Sequence, residues 1–212
     1  MDINTSNQEG RALSQRGNQV SRVYRMTAAA LLIAIGILIP LVSPVKIVIE
    51  PMSFTLASHV AIFLGVLMAP DIAAFVVAGT TIGFFAAGFP LPVAPRAASH
   101  IVFALIASFY LRRRPQTAFS PVGFHVFSFL IGAIHAACEV VVVYFYYRYF
   151  GGWGDFVAHD GIRTLFLLVG VGSLVHSMVD FEIAYGIFGV LRKQKSVRSL
   201  FISAPPQKSA VS

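Results

Sequence analysis

The chain has 212 residues, of which 57% are hydrophobic and only 12% are charged. Soluble domains average about 25% charged residues, so this composition excludes an ordinary soluble domain. The formal net charge of +7 does not indicate nucleic-acid binding, because twelve of the 16 Lys and Arg lie in residues 11–25, 112–114 and 192–208, outside the apolar runs. This distribution is typical of the cytoplasmic segments of a membrane protein.

The apolar runs are long enough to cross a bilayer core of roughly 30 Å as helices. A spanning β-barrel would alternate apolar and polar residues in segments of about ten, and residues 28–42 show no such alternation. We therefore expect an all-α integral membrane protein of the plasma membrane with six transmembrane helices. Residues 1–21 are expected to form a disordered cytoplasmic N-terminus, 22–193 the six-helix membrane domain, and 194–212 a cytoplasmic tail.

In chain order, the expected spans are six apolar segments separated by prolines, glycines or arginine clusters: 24–42, 55–68, 72–89, 97–111, 121–147 and 162–191. Residues 43–54 are expected to form an external amphipathic loop. With the arginine clusters inside, residues 90–96 and 148–161 also face outside, and both termini are cytoplasmic.

Several chemistries have no support in the sequence. The single cysteine, Cys138, allows no intrachain disulfide. The zinc-protease pattern His-Glu-x-x-His, the Gly-x-Ser-x-Gly elbow and the ATP-binding P-loop are all absent. We therefore assign no catalytic residue, metal or cofactor, and we do not expect an enzyme. Any active transport must take its energy from another subunit.

Ionisable side chains inside spans are costly unless they face protein, water or a partner. His135 and Glu139 lie on one stripe of the fifth span, and His176 and Asp180 lie on one stripe of the sixth. Each is an i,i+4 pair, so the two members could simply satisfy each other. The alternative is that they line a site.

The depth of each residue follows from a rise of about 1.5 Å per residue. This places His59, Arg96, His100 and Glu139 in the external half of the membrane, with His135 and His176 near the middle and Asp180 deeper. The sequence therefore predicts an externally open polar cavity for a small, flat, polar or anionic molecule. Arg96 could instead be an interfacial residue whose head group reaches water.

Small residues crowd two spans, around Ala30 and Ala34 in the first and in the Gly79-x-x-x-Gly83 pattern of the third. Small residues four apart let helices approach closely. They indicate either internal packing or a groove for another membrane protein.

Three stretches, residues 47–59, 79–90 and 96–100, resemble the S components of energy-coupling-factor (ECF) vitamin transporters, most of all the niacin-specific type. The similarity covers roughly residues 24–192. It implies a six-helix bundle that captures a vitamin from outside and docks on a membrane T component coupled to two cytoplasmic ATPases.

The resemblance also implies that the loop after the first helix gates the site and that Ala30 and Ala34 form an Ala-x-x-x-Ala docking motif. Together with the polar residues above, the expected vitamin-binding set is Lys46, Glu50, Ser53, His59, Arg96, His100, His135, Glu139 and His176. For nicotinate we expect Arg96 to hold the carboxylate, with Lys46 as its main rival.

Other functions stay open at this point. The chain could be an S component for another vitamin, of the pantothenate, pyridoxine, folate or thiamine class. It could also be a membrane-embedded enzyme that uses its His and Glu residues, or a channel or carrier that works alone.

Overall fold

A computed structural model describes residues 3–49, 52–158 and 160–203. The chain is mostly helical, in agreement with the expected all-α membrane class. Its elements, in order, are α1 Ile3–Val42, β1 Lys46–Ile49, β2 Met52–Thr55, α2 Val60–Met68, α3 Pro70–Ala86, α4 Val93–Arg113, a 3-10 turn Pro115–Phe119, α5 Pro121–Phe150, α6 Trp153–Ala158, α7 Gly161–Thr164, a π-helical segment Leu165–Val171, α8 Gly172–Leu191 and a 3-10 turn Arg198–Leu200.

Four helices in the described residues are long and apolar enough to cross a membrane: Ser21–Val42 within α1, then α4, α5, and the continuous helix Gly161–Leu191 formed by α7, the π-helical segment and α8. Helix α3 is apolar but shorter, with 17 residues. Helix α2 has only nine residues, and all nine are buried. At 1.5 Å per residue, α2 covers about 14 Å, or roughly half of the bilayer core.

The segment before α2 differs from the expectation. We predicted a loop over 43–54 and a helix from residue 55. Instead, β1 (Lys46–Ile49) and β2 (Met52–Thr55) pair antiparallel, an arrangement that we call the hairpin, and α2 begins only at Val60. The reason is local composition: β-branched residues such as Val45, Ile47 and Thr55 favour a strand, and a continuous apolar run does not by itself distinguish helix from strand.

Helices α1 and α3 pack closely through the two glycines of α3. A Cβ at Gly79 would clash with Ile33 of α1, and a Cβ at Gly83 would clash with Ile37. The Gly79-x-x-x-Gly83 pattern therefore serves internal packing. Ala30 and Ala34, by contrast, lie on the exposed side of α1.

The described part of the C-terminal segment returns to the bundle. Phe201 is buried against Phe188 of α8, with ring centroids 5.5 Å apart. The backbone N–H of Ile202 donates to the carbonyl oxygen of Leu67 at 3.0 Å, and so satisfies one acceptor at the end of α2.

Candidate functional site

A cavity of about 180 Å³ lies between the hairpin, the start of α2 and helices α3, α4 and α5. A cavity that holds a single water has a volume of only about 10–15 Å³ on the same scale, so this cavity has room for a small organic molecule. Its wall is part apolar and part polar, with lining residues Pro40, Lys46, Ser53, Thr55, Ser58, His59, Ile62, Thr80, Phe84, Phe89, Pro90, Val93, Arg96, Ala97, His100, Glu139 and His176.

The register of the hairpin decides which side chains reach this cavity. Lys46 pairs with Thr55 and Val48 pairs with Ser53, so Lys46, Ser53 and Thr55 share one face. All three line the cavity. The opposite face of β2 packs against the bundle: Met52 is fully buried against Val143, Leu165 and Val169, and Phe54 packs closely over Gly172. The hairpin thus covers the cavity as part of its wall.

Arg96 and Glu139 form a buried ion pair between α4 and α5. The guanidinium donates from Nε to Oε1 at 3.2 Å and from Nη2 to Oε2 at 2.9 Å. Ser173 Oγ of α8 also donates to Oε2, at 2.6 Å. Sequence reasoning predicted Arg96 as the cation for an anionic ligand, but two of its donors already hold Glu139, so its charge is largely matched inside the protein.

Four imidazoles cluster beside this ion pair. The ring centroids of His59, His100 and His135 are 4.7–4.8 Å from one another, and His176 lies 5.0 Å from His59. Nε2 of His100 lies 3.3 Å from Glu139 Oε1, and Nε2 of His135 lies 3.5 Å from the same oxygen. The i,i+4 pairing expected for His135 and Glu139 is therefore part of a larger group, which comes from the turn before α2 and from α4, α5 and α8.

Asp180, which the depth estimate places below the predicted site, supports the site in the structure. Its carboxylate accepts from the backbone N–H groups of Ala57 at 2.7 Å and His59 at 2.8 Å, and its Oδ2 lies 3.0 Å from His59 Nδ1. It thereby satisfies the free amides at the beginning of α2 and orients the His59 ring. Ala57 adopts a left-handed conformation with φ of 67°, a strained geometry that these bonds hold in place.

Of the predicted binding residues, seven line the cavity: Lys46, Ser53, His59, Arg96, His100, Glu139 and His176. His135 lies behind His59 and His100 and is fully buried. Glu50 lies outside the described residues. Sequence reasoning missed Thr55, Ser58, Thr80, Phe84 and Phe89, which reach the cavity from the hairpin, the turn before α2, and α3 with its following loop. For Thr55, the period-2 alternation with Ser53 is a signal that could have been used.

Comparison with known proteins finds a relative of similar sequence. The niacin transporter NiaX of Lactococcus lactis subsp. cremoris (strain MG1363) is 37% identical to this chain over 174 residues, which are 82% of this chain and 77% of that protein. No family model matches the chain, and no solved structure matches it.

Identity at this level over most of both sequences is sufficient to establish kinship. It confirms the resemblance noted from residues 47–59, 79–90 and 96–100, and it confirms a transport protein rather than an enzyme. The apolar helices agree with a multi-pass membrane protein. The chain therefore belongs to the family of S components of ECF transporters, in the branch that includes the niacin transporter NiaX.

Proposed function

We propose that this chain is the substrate-binding S component of an ECF importer, captures nicotinate from outside the cell, and delivers it together with a membrane T component and two cytoplasmic ATPases. The observation that carries the proposal is the 37% identity to a niacin transporter over 82% of the chain. The cavity supports it, because its size suits a single small ring.

The proposed topology has six spans and two cytoplasmic termini, with residues 43–54, 90–96 and 148–161 outside. Four long apolar helices, the shorter α3 and the buried α2 are compatible with six spans. The short α2 is compatible with a span if the hairpin and the turn before α2 occupy the external half of the membrane. Irregular backbone at that depth is tolerated where it lines a cavity.

In the proposed complex the pyridine ring lies against Phe84 and Phe89, and its carboxylate points toward Lys46. Among the described residues, the ammonium of Lys46 donates only a long hydrogen bond, 3.5 Å, to the carbonyl oxygen of Pro40, and it lies 5.9 Å from the centre of the Phe89 ring. It is therefore better able to accept a new anion than Arg96, which remains available through the guanidinium hydrogens that Glu139 does not use.

The rest of the predicted set stays part of this proposal, with two different tasks. Ser53, His59, His100 and His176 are proposed to hydrogen-bond the ligand, whereas Glu139 and His135 are proposed to hold Arg96 and the imidazoles in place. Glu50, which lies outside the described residues, remains proposed as a binding residue of the loop after α1.

Docking on the T component is proposed to use Ala30 and Ala34. Both lie on the exposed side of α1, four residues apart, where small side chains let another helix approach closely. The two glycines of α3 are already used against α1 and are not part of this surface.

Calorimetric titration of the purified chain with nicotinate and nicotinamide tests the ligand. Nicotinate should bind about 5- to 150-fold more tightly, because the amide leaves a partly desolvated cation unpaired at a cost of roughly 1–3 kcal/mol. Lys46→Met should remove most of this preference and Lys46→Arg should keep part of it. Arg163→Ala is the matched control, since the Arg163 side chain is 73% exposed and does not line the cavity.

Equal affinity of the natural chain for the two compounds would overturn nicotinate as the substrate and direct the search to another vitamin. Uptake into liposomes by the chain alone, without ATPases, would instead overturn the subunit role.

A further inference from the structure

Three imidazoles and one carboxylate converge at the inner end of the cavity. One ligand atom from each of His59, His100, His135 and Glu139 lies within 4.8 Å of the other three, and all four residues are buried. In a tetrahedral site with metal–nitrogen distances of about 2.0–2.1 Å, neighbouring ligand atoms are roughly 3.3 Å apart. The four side chains would therefore have to close by at most about 1.5 Å, which small rotations about their side-chain bonds can supply.

The hydrogen bonds leave the required atoms available. Three buried nitrogen atoms have no hydrogen-bond partner among the described residues: Nδ1 and Nε2 of His135, and Nδ1 of His100. Buried polar atoms without a partner are rare and need an explanation. Glu139 uses Oε2 for Arg96 Nη2 and Ser173. Its Oε1 accepts from Arg96 Nε at 3.2 Å and also faces Nε2 of both His100 and His135, so a carboxylate lone pair remains on the side of the imidazoles.

His59 has the support that metal-binding histidines usually have. Its Nδ1 lies 3.0 Å from Asp180 Oδ2, which leaves Nε2 for a ligand. A carboxylate behind a histidine fixes the ring orientation and makes the other nitrogen a better ligand. Arg96 fixes the position of the Glu139 carboxylate from the other side.

The donor set also limits the kind of ion. Three imidazole nitrogens and one carboxylate suit Zn²⁺ and its neighbours in the first transition row, whereas Mg²⁺ and Ca²⁺ prefer oxygen ligands. Cys138 is adjacent in sequence to Glu139 but is not one of the four converging groups. The spacing along the chain does not reveal the site, because the ligands come from the turn before α2, from α4 and from α5.

We propose that His59, His100, His135 and Glu139 bind one divalent transition-metal ion of the Zn²⁺ or Co²⁺ type at the inner end of the cavity. Three of these residues line the cavity, so the ion sits where its positive charge faces an anionic ligand. The proposal stands on the geometry and chemistry of these four donors, and it holds or fails independently of which vitamin is bound. When the ion is bound, the nitrogen atoms that hold it do not hydrogen-bond the vitamin directly.

The test uses the full chain in detergent, purified through an affinity tag without histidine and dialysed against a chelator. Zn²⁺ binding is measured by equilibrium dialysis with elemental analysis, and Co²⁺ binding by its visible absorption, which is stronger in tetrahedral than in octahedral coordination. We expect one ion per chain, and at least a tenfold loss of affinity in His135→Gln and in His100→Gln. His125→Gln is the control, because the His125 side chain is 60% exposed and pairs with Glu182 on another part of the bundle.

If either variant does not fold, the natural chain still decides the question. Zn²⁺ should raise its unfolding temperature after chelation, and Mg²⁺ at the same concentration should not. Absence of a Zn²⁺-specific shift, or Zn²⁺ binding by folded His135→Gln equal to that of the natural chain, would overturn the site.

Discussion

Replacing Glu139 by glutamine should destabilise the protein strongly, although the two side chains have nearly the same shape. The carboxylate accepts hydrogen bonds from Arg96 Nε, Arg96 Nη2 and Ser173 Oγ in a site where its side chain is 3% exposed. Glutamine has no charge and only one acceptor oxygen, so the buried guanidinium loses its counter-ion and one of its two bonds.

The magnitude follows from two contributions. Removing one partner of a buried ion pair costs about 3–5 kcal/mol. The amide oxygen of the substituted glutamine recovers one hydrogen bond, worth about 0.5–1.5 kcal/mol, so the net loss should be about 2–4 kcal/mol. For a chain of this length 1 kcal/mol corresponds to about 2–4 °C, so the unfolding temperature should fall by about 4–16 °C.

Cys138 provides the assay, because it is the single cysteine of the chain and is only partly exposed. A fluorogenic maleimide should report its exposure as the detergent-solubilised protein is heated. All variants must be heated at one scan rate, since unfolding of such proteins is often irreversible. Glu182→Gln is the matched control. The Glu182 side chain is 37% exposed and pairs with an exposed histidine, so this change should cost about 1 kcal/mol or less.

If Glu139→Gln unfolds within the range of Glu182→Gln, the buried ion pair does not hold α4 to α5 and the reasoning is refuted.

Three further predictions concern packing, docking and topology. Gly83→Leu should lower the unfolding temperature, because its side chain meets Ile37 of α1, whereas Gly186→Ala, with open space around it, should not; equal effects would contradict the close α1–α3 packing. Ala30→Trp or Ala34→Trp should leave nicotinate binding intact and abolish ATP-dependent uptake, since bulk on the exposed side of α1 blocks a partner helix without touching the cavity; loss of binding would assign these residues to internal packing. In a Cys138→Ala background, cysteines at Ser53 and Asp155 should react with an impermeant maleimide in intact cells and one at Ser196 should not; labelling at Ser196 would reverse the proposed orientation.

The part of the site on long helices could be predicted from the sequence. Arg96 and Glu139 lie at similar depth on neighbouring helices, and their ionisable character requires a partner inside the membrane. Their similar depth therefore follows from rise per residue and orientation alone. What depth cannot reveal is that the two residues pair with each other, because direction around a helix axis depends on packing as well as on position.

The part of the site before α2 could not be predicted in the same way. Treating residues 55–68 as one helix puts His59 inside it, whereas the structure ends the hairpin at Thr55 and starts α2 at Val60. In this irregular stretch, the backbone N–H groups of Ala57 and His59 donate to the carboxylate of Asp180, which is far away in the sequence. Residues more than 120 positions apart show no local sequence pattern that reveals their contact. The sequence therefore assigned Asp180 to a position deeper than the site.

The short, wholly buried α2 also bears on how the chain is made. Nine residues are too few for the insertion machinery to recognise as a span, and none of them is exposed on the surface of the bundle where lipid would lie. During synthesis, α2 and α3 therefore emerge before all of the helices that bury α2 have been made. The turn before α2 gains its bonds only when α8 is made, because Asp180 bonds the amides of Ala57 and His59. The end of α2 gains its bond later still, from the backbone N–H of Ile202 to Leu67. Among the described residues, the ligand cavity is thus completed only by α8, so we expect a chain truncated before α8 to lose nicotinate binding.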